Sequence, residues 1–158
     1  MENPKRIASF SVDHDFIDEG IYISRIDGDI TTYDLRTRKP NAGEYMDNIT
    51  MHSVEHMIAT YIRSGSIGED VIYFGPMGCR TGFYLLVRSR DPHEVLAALC
   101  EALRATAEDA EQMFGASRVE CGNYMELDLG AAKKECRRYL EVVSREGIDF
   151  KYKDGNNG

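Results

Sequence analysis

His52 and His56 stand four residues apart in "TMHSVEHMIATYIRSG" (50–65), a segment that otherwise reads as an apolar helix. On a helix that spacing sets the two side chains about 40° apart, one turn above the other, so both imidazoles can converge on one ion. Glu55 adjoins His56, where its carboxylate can work beside such an ion without being a ligand. This is the H-x-x-E-H arrangement, two histidines for a divalent metal and a carboxylate for proton transfer. Chance would produce it in fewer than about one chain in a hundred at average composition, which favours a metal site over two unrelated surface histidines. A catalytic metal takes a third protein ligand and keeps one position open. The candidates are His14, His93 and the four cysteines, Cys79, Cys100, Cys121 and Cys136. His93 falls in the first turn of a capped helix, and Cys100 and Cys136 fall in amphipathic helices, where cysteine is usually a small core residue. Cys121 lies outside any helix and precedes Gly122, which permits close backbone approach, so it is the best-placed third ligand.

A second reactive group sits in "GPMGCRTG" (75–82). There Cys79 occupies a glycine-flanked turn, and a positive charge from Arg80 or Arg36 would favour its thiolate, the reactive form. Read alone, the same stretch is also a plain hairpin turn with a structural thiol. "SFSVDH" (9–14) supplies Ser9 and His14, and "YDLRTRKPN" (33–41) supplies Arg36 and Arg38. Taken singly, each reads as an ordinary surface or strand residue.

These groups need elements to hold them. "GIYISRIDGDITTYDLR" (20–36) predicts a hairpin turning at Asp27-Gly28, a dipeptide suited to tight two-residue turns. "RIASFSV" (6–12) predicts a further strand, and "VIYFGP" (71–76) and "GFYLLVR" (82–88) two more. The histidine helix starts at Asn48 or Thr50 and stops at Gly65. A second helix is expected over 91–112, with Asp91 as cap, Pro92 in the first turn and Glu94 completing a capping box. A third spans 128–147, ended by Gly147, and "VECGNYMEL" (119–127) is a short strand or loop. Strands and helices do not alternate in βαβ units. The expected class is therefore α+β, helices packed on an antiparallel sheet, as one domain over 1–158 with a frayed tail at 151–158.

A chain of 158 residues can bury a core without disulfide staples. Its formal charge of −8 shows no basic stripe, which argues against a nucleic-acid partner. No secretory leader or membrane span is legible, and four cysteines without a scaffold spacing fit the cytoplasm.

Read together, these segments resemble the S-ribosylhomocysteine lyase (LuxS) family. The resemblance is carried by "SF" and "DH" within 9–14, "DLR" and "KPN" within 34–41, "HSVEH" at 52–56, "PMGCRTGFY" at 76–84 and "CG" at 121–122. Each motif is weak alone, and the ordered set is specific. The resemblance implies cleavage of S-ribosylhomocysteine to homocysteine and dihydroxypentanedione, the autoinducer-2 precursor. It implies a divalent metal held by His52, His56 and Cys121, natively Fe(2+), with Zn(2+) or Co(2+) able to replace it. Cys79 and Glu55 match the acid–base residues, Ser9, His14 and Arg36 match positions that contact substrate, and Phe10 matches one that lines the pocket. A cytoplasmic homodimer with active sites at its interface is implied as well. One departure stands out: where the family carries Asp-Ile-Ser, this chain has Tyr73-Phe74-Gly75, so the carboxylate expected near the substrate's amino-acid end is missing.

Two rival readings share the metal motif. A zinc peptidase also uses H-x-x-E-H, but typically with a carboxylate third ligand, a longer chain and no need for Cys79. A metal-stabilised binding module would close the site with a fourth protein ligand, His14 or Cys79.

Overall fold

The computed structural model describes residues 3–153. Four strands, β1 (Gly20–Asp27), β2 (Ile30–Arg36), β3 (Val71–Pro76) and β4 (Gly82–Arg88), form one antiparallel sheet in the order β1-β2-β4-β3. The α+β class is as expected. The first hairpin turns one residue later than the dipeptide suggested: Asp27 pairs with Ile30, so Gly28 and Asp29 make the turn. Of these two only Gly28 adopts a positive φ, 62°.

Helix α1 (Ala8–Ser11) is a single turn where a strand was expected. None of its residues is buried, and β-propensity expresses itself only where a neighbouring strand offers a surface to pack on. The three long helices are α2 (Asn48–Ser64), α3 (Pro92–Arg104) and α4 (Leu129–Val143). Each begins on an aspartate whose side chain accepts a backbone N–H: Asp47 from Thr50, Asp91 from His93 and Asp128 from Ala131. Such a cap contributes about 1 kcal/mol.

Helix α3 does not run to residue 112. It widens into a π-helical turn at Ala105–Asp109, where the Ala110 N–H bonds to the Ala105 carbonyl. From α4, Arg137 and Lys133 donate to the carbonyls of Ala107 and Ala110, satisfying groups that a helix end leaves open. From there to α4 the chain runs through turns alone, residues 110–128.

The helices cover one face of the sheet. Val54, Met57, Ile58 and Ile62 of α2, Leu99 and Leu103 of α3, and Cys136 and Tyr139 of α4 meet Leu35, Phe74, Phe83 and Leu85 in one apolar core. Full burial of one such aliphatic side chain contributes about 1.5–3 kcal/mol. Strand alternation sends Asp34 and Arg36 to the other face, with Tyr22 and Tyr84 as the direct cross-strand neighbours of Asp34. There the end of the chain folds back. The Phe150 carbonyl accepts the Ile23 N–H, Tyr152 stacks on Tyr22 with centroids 4.8 Å apart, and its hydroxyl donates to Asp34. The start of the tail expected to fray is therefore held by Tyr152, and residues 154–158 lie outside the described ones. Among the described residues no helix is long and apolar enough to cross a membrane.

Candidate metal centre and its neighbours

Helix α2 places His52 and His56 one turn apart, their ring centroids separated by 4.6 Å. The loop between α3 and α4 supplies a partner to each. The Glu126 carbonyl lies 2.8 Å from His52 Nδ1, and the Phe114 carbonyl lies 2.9 Å from His56 Nδ1. A carbonyl can only accept, so both Nδ1 atoms carry the proton and both Nε2 lone pairs are free to bind a metal. Cys121 Sγ is 3.4 Å from His52 Nε2, and the three ligand atoms lie within 4.8 Å of one another. Tetrahedral coordination at normal metal–nitrogen and metal–sulfur lengths needs a nitrogen–sulfur separation of about 3.5 Å. The donor set therefore fits a divalent ion by chemistry, tautomer and distance.

The loop is fitted to the helix at several points. Gly115 has φ +63°, and a Cβ there would come within 2.8 Å of His56 Nδ1, so both its backbone angle and its close approach require glycine. Phe114 packs edge-on against Tyr61 of α2 at 5.1 Å. Ser53, fully buried between the two histidines in sequence, donates to the Ile49 carbonyl and accepts the Asp128 N–H at 2.8 Å. Cys121 follows a turn in which its N–H bonds to Ser117, and it receives the Asn123 N–H on sulfur at 3.4 Å. Glu55 is half-buried on the same helix. The expectation of a strand or loop around Cys121 resolves to turns.

Cys79 belongs to a second group, in the β3–β4 turn. Its Sγ is 3.0 Å from the Thr81 hydroxyl, which in turn accepts Nη1 of Arg36 at 2.9 Å. Arg36 also makes a paired contact to Asp34, at 3.0 and 2.7 Å, and Asp34 accepts Tyr152 at 2.8 Å. Arg36 and Asp34 are each only 3% exposed in their side chains. Burial works against the Arg36 charge, and Asp34 beside it more than offsets that, so the guanidinium is held more firmly charged than usual. Arg36 was expected to touch substrate, and in this chain its guanidinium is occupied by Asp34 and Thr81. Of the two arginines suggested as neighbours of the thiol, Arg80 turns elsewhere, donating to the Met46 carbonyl and lying over the Tyr45 ring.

The remaining expected site residues lie on the N-terminal segment. Ser9 lies beside Tyr84, whose phenol is pushed up by burial and by Asp34. Phe10 is 64% exposed. His14 is half-buried and bonds through Nδ1 to the Val12 carbonyl, which leaves its Nε2 free. At the departure from the family pattern, Tyr73 folds back so that its hydroxyl lies where a Cβ on residue 75 would stand. Tyr73 and Gly75 are thus a matched pair.

Thr81, Asp34, Tyr152, Gly115 and Ser53 were not singled out from sequence. Gly115, a glycine within "MFGAS" ahead of Cys121, is the one whose type could have flagged it.

The comparisons with known proteins agree with this geometry. The family described as S-Ribosylhomocysteinase (LuxS) matches residues 7–148. The S-ribosylhomocysteine lyase of Borreliella afzelii is 39% identical over 149 residues, covering 89% of this chain and 93% of that protein. The lyase of Clostridium acetobutylicum is 36% identical over 155 residues, covering 92% and 98%. That of Desulfotalea psychrophila is 39% identical over 145 residues, covering 88% and 91%. A peptidase is not favoured by these matches, nor by a thiol as the third group of the metal cluster.

Proposed function

We infer the chemistry of this site from one premise: the chain belongs to the S-ribosylhomocysteinase (LuxS) family. It is a carbon–sulfur lyase that cleaves S-ribosylhomocysteine to homocysteine and dihydroxypentanedione, the autoinducer-2 precursor. The observation that best supports assigning the chemistry to these residues is the convergence of two free Nε2 lone pairs and Cys121 Sγ within 4.8 Å. His52, His56 and Cys121 would hold one divalent ion, ferrous in the native enzyme and replaceable by zinc or cobalt. When bound, the ion supplies Lewis acidity, which eases removal of hydrogens beside the sugar carbonyl.

The chain's own residues move the protons. A ribose thioether is inert because no carbonyl sits beta to its sulfur. Cys79, as thiolate, takes the hydrogen from C2 of the open-chain sugar and returns it to C1, while a hydroxyl proton passes between the neighbouring oxygens. The carbonyl thereby moves from C1 to C2, and a second round moves it to C3. Glu55 then takes the C4 proton. The C4–C5 double bond forms as the C5–S bond breaks, and Glu55 returns its proton to the departing homocysteine sulfur. The resulting enol becomes the diketone, so no oxidant or reductant enters.

Ser9 and His14 would bind the sugar, with Phe10 lining the pocket and Arg36 acting from behind Cys79. The enzyme would work as a homodimer with active sites at its interface, completed by residues of both subunits, and the N-terminal segment offers apolar surface for such an interface. In support, Ile7, Phe10 and Phe16 are exposed at 54%, 64% and 46% on that segment. Free cysteines at 79, 100, 121 and 136 suit the cytoplasm.

The test is release of free thiol from S-ribosylhomocysteine by protein loaded anaerobically with ferrous ion. Wild type should turn over, and Cys79→Ala and Glu55→Ala should each lose at least about 100-fold, the usual contribution of a positioned proton carrier. Full activity in either variant removes that residue from the mechanism.

A further inference from the structure

Thr81 is 2% exposed and stands between a buried guanidinium and the Cys79 thiol. Arginine has donors only, so the Arg36 Nη1–H must point at Thr81 Oγ1 and occupy one of its lone pairs. The hydroxyl's own hydrogen is left to point onward, and Cys79 Sγ lies 3.0 Å away to receive it. One lone pair of Oγ1 remains, so a neutral thiol can donate to it; once Cys79 is ionised the sulfur can only accept, and the Thr81 hydroxyl then donates to it.

The backbone of Thr81 is clamped in addition. Its carbonyl accepts the N–H groups of Thr37 and Arg38 at 3.0 and 2.9 Å, and the Thr37 hydroxyl at 3.3 Å. Gly82 lets β2 approach closely, since a Cβ there would stand 2.5 Å from the Leu35 carbonyl. Arg36 is held from its far side by Asp34, itself bonded to Tyr152. The relay therefore has little freedom to rotate away. The charged and titratable groups around Cys79 are Arg36 with Asp34 on β2, Tyr84 on β4 and Arg80 in the turn. Arg80 is engaged with Met46 and Tyr45, which leaves Arg36, acting through Thr81, as the cation wired to the sulfur.

We propose that Thr81 is a positioning residue for Cys79, its hydroxyl carrying the influence of the Arg36 charge to the sulfur and holding the thiolate in a fixed direction. This rests on the reading that Cys79 is the proton carrier. A direct contact with the guanidinium would hold the sulfur in a tight ion pair. A hydroxyl between them stabilises the charged form and leaves the thiolate able to accept a proton.

The experiment is alkylation of Cys79 by iodoacetamide in the metal-loaded protein from pH 5 to 10, followed on the Cys79 peptide by mass spectrometry. Thr81→Val keeps the branched shape and removes the oxygen, and Thr81→Ser keeps the oxygen. In Thr81→Val the pH midpoint of alkylation should rise by about one to two units, the size of a lost hydrogen bond to a charged group. Thr81→Ser should return the midpoint to within about half a unit of wild type. If Thr81→Val melts early, Thr81→Ala removes the same oxygen with less bulk, and its midpoint is read instead. A wild-type midpoint in whichever hydroxyl-free variant stays folded overturns the relay, as does failure of Thr81→Ser to restore it. Thiol release is measured separately. If Cys79→Ala still turns over while the Thr81 shift is seen, the proton-carrier reading fails and the relay stands.

Discussion

The candidate metal ligands and the Cys79 relay are held in opposite ways. His52, His56 and Cys121 are only half-buried, and their partners are backbone groups on a stretch without helix or strand, carbonyls for the two rings and the Asn123 N–H for the sulfur. Arg36, Asp34 and Thr81 are buried at 2–3% exposure, on strands or the turn between them, and bonded side chain to side chain. An ion supplies the attraction that gathers its ligands, so the protein needs only to orient the rings and leave the lone pairs free. A thiolate has no such organiser and depends on a fixed charge behind it. The guanidinium behind it is buried and is screened less than a surface charge would be, although the Cys79 side chain itself is exposed. The fold therefore buries the charged groups behind Cys79 and economises on burial where a metal would do the gathering.

The largest effect should come from breaking the buried pair. Asp34→Ala leaves Arg36 charged, 3% exposed and without its counter-ion. The expected loss is about 3–5 kcal/mol of folding stability, because an uncompensated buried charge keeps its desolvation cost. Urea unfolding followed by circular dichroism measures this. A loss under about 1 kcal/mol would mean that water reaches Arg36, and the contrast between the two regions would collapse.

Gly115→Ala is the matching change on the metal side. The added methyl would press on His56 Nδ1 and strain a positive φ. Metal affinity should fall about 10–100-fold, as when an outer partner of a ligand is disturbed. The fold should lose only about 1 kcal/mol. Competition with a colorimetric chelator reads the first, and melting of the metal-free protein the second. Unchanged affinity would show that the His56–Phe114 contact does not orient the ring.

The two regions also differed in how far the sequence disclosed them. The histidine pair is legible because helical geometry acts over four residues, all inside one segment. Cys121 could be chosen because it alone of the later cysteines lies outside an amphipathic helix. The carbonyls of Phe114 and Glu126 could not be, since every residue carries one and these reach α2 across 58 and 74 positions. Thr81 in a hairpin turn reads as turn chemistry, and only the register of Arg36 opposite Gly82 gives it a partner. The tail looked frayed because it is charged and glycine-rich, yet Tyr152 finds Asp34 across 118 positions. At "RIASFSV" the residue types favour a strand, but among the described residues the sheet consists of β1, β2, β4 and β3 and none of them pairs with this segment. What failed in each case was long-range pairing.

The smallest effect sharpens the comparison between two tyrosines, Tyr33 fully buried on β2 and Tyr152 half-buried in the chain's closing segment. Tyr152 donates to Asp34, whereas among the described residues the Tyr33 hydroxyl is the one buried side-chain polar atom lacking a partner. Tyr33 is 0% exposed, so its hydroxyl left water and gained nothing. Tyr33→Phe should therefore be neutral or stabilising by up to about 1 kcal/mol, since it removes an unmet desolvation cost. The pH dependence follows in sign. Burial, with Asp91 adding to it, pushes the Tyr33 phenol up to about 12, above its ordinary value of 10.0. The unfolded chain then loses this proton before the folded one. The associated stability is fully present below pH 10 and is lost as pH rises toward 12. Thermal melts of wild type and Tyr33→Phe from pH 8 to 11.5 should diverge only above about pH 10, the variant falling less steeply. Parallel curves throughout would show that the Tyr33 hydroxyl is hydrated, and the orphaned oxygen would then have a partner after all.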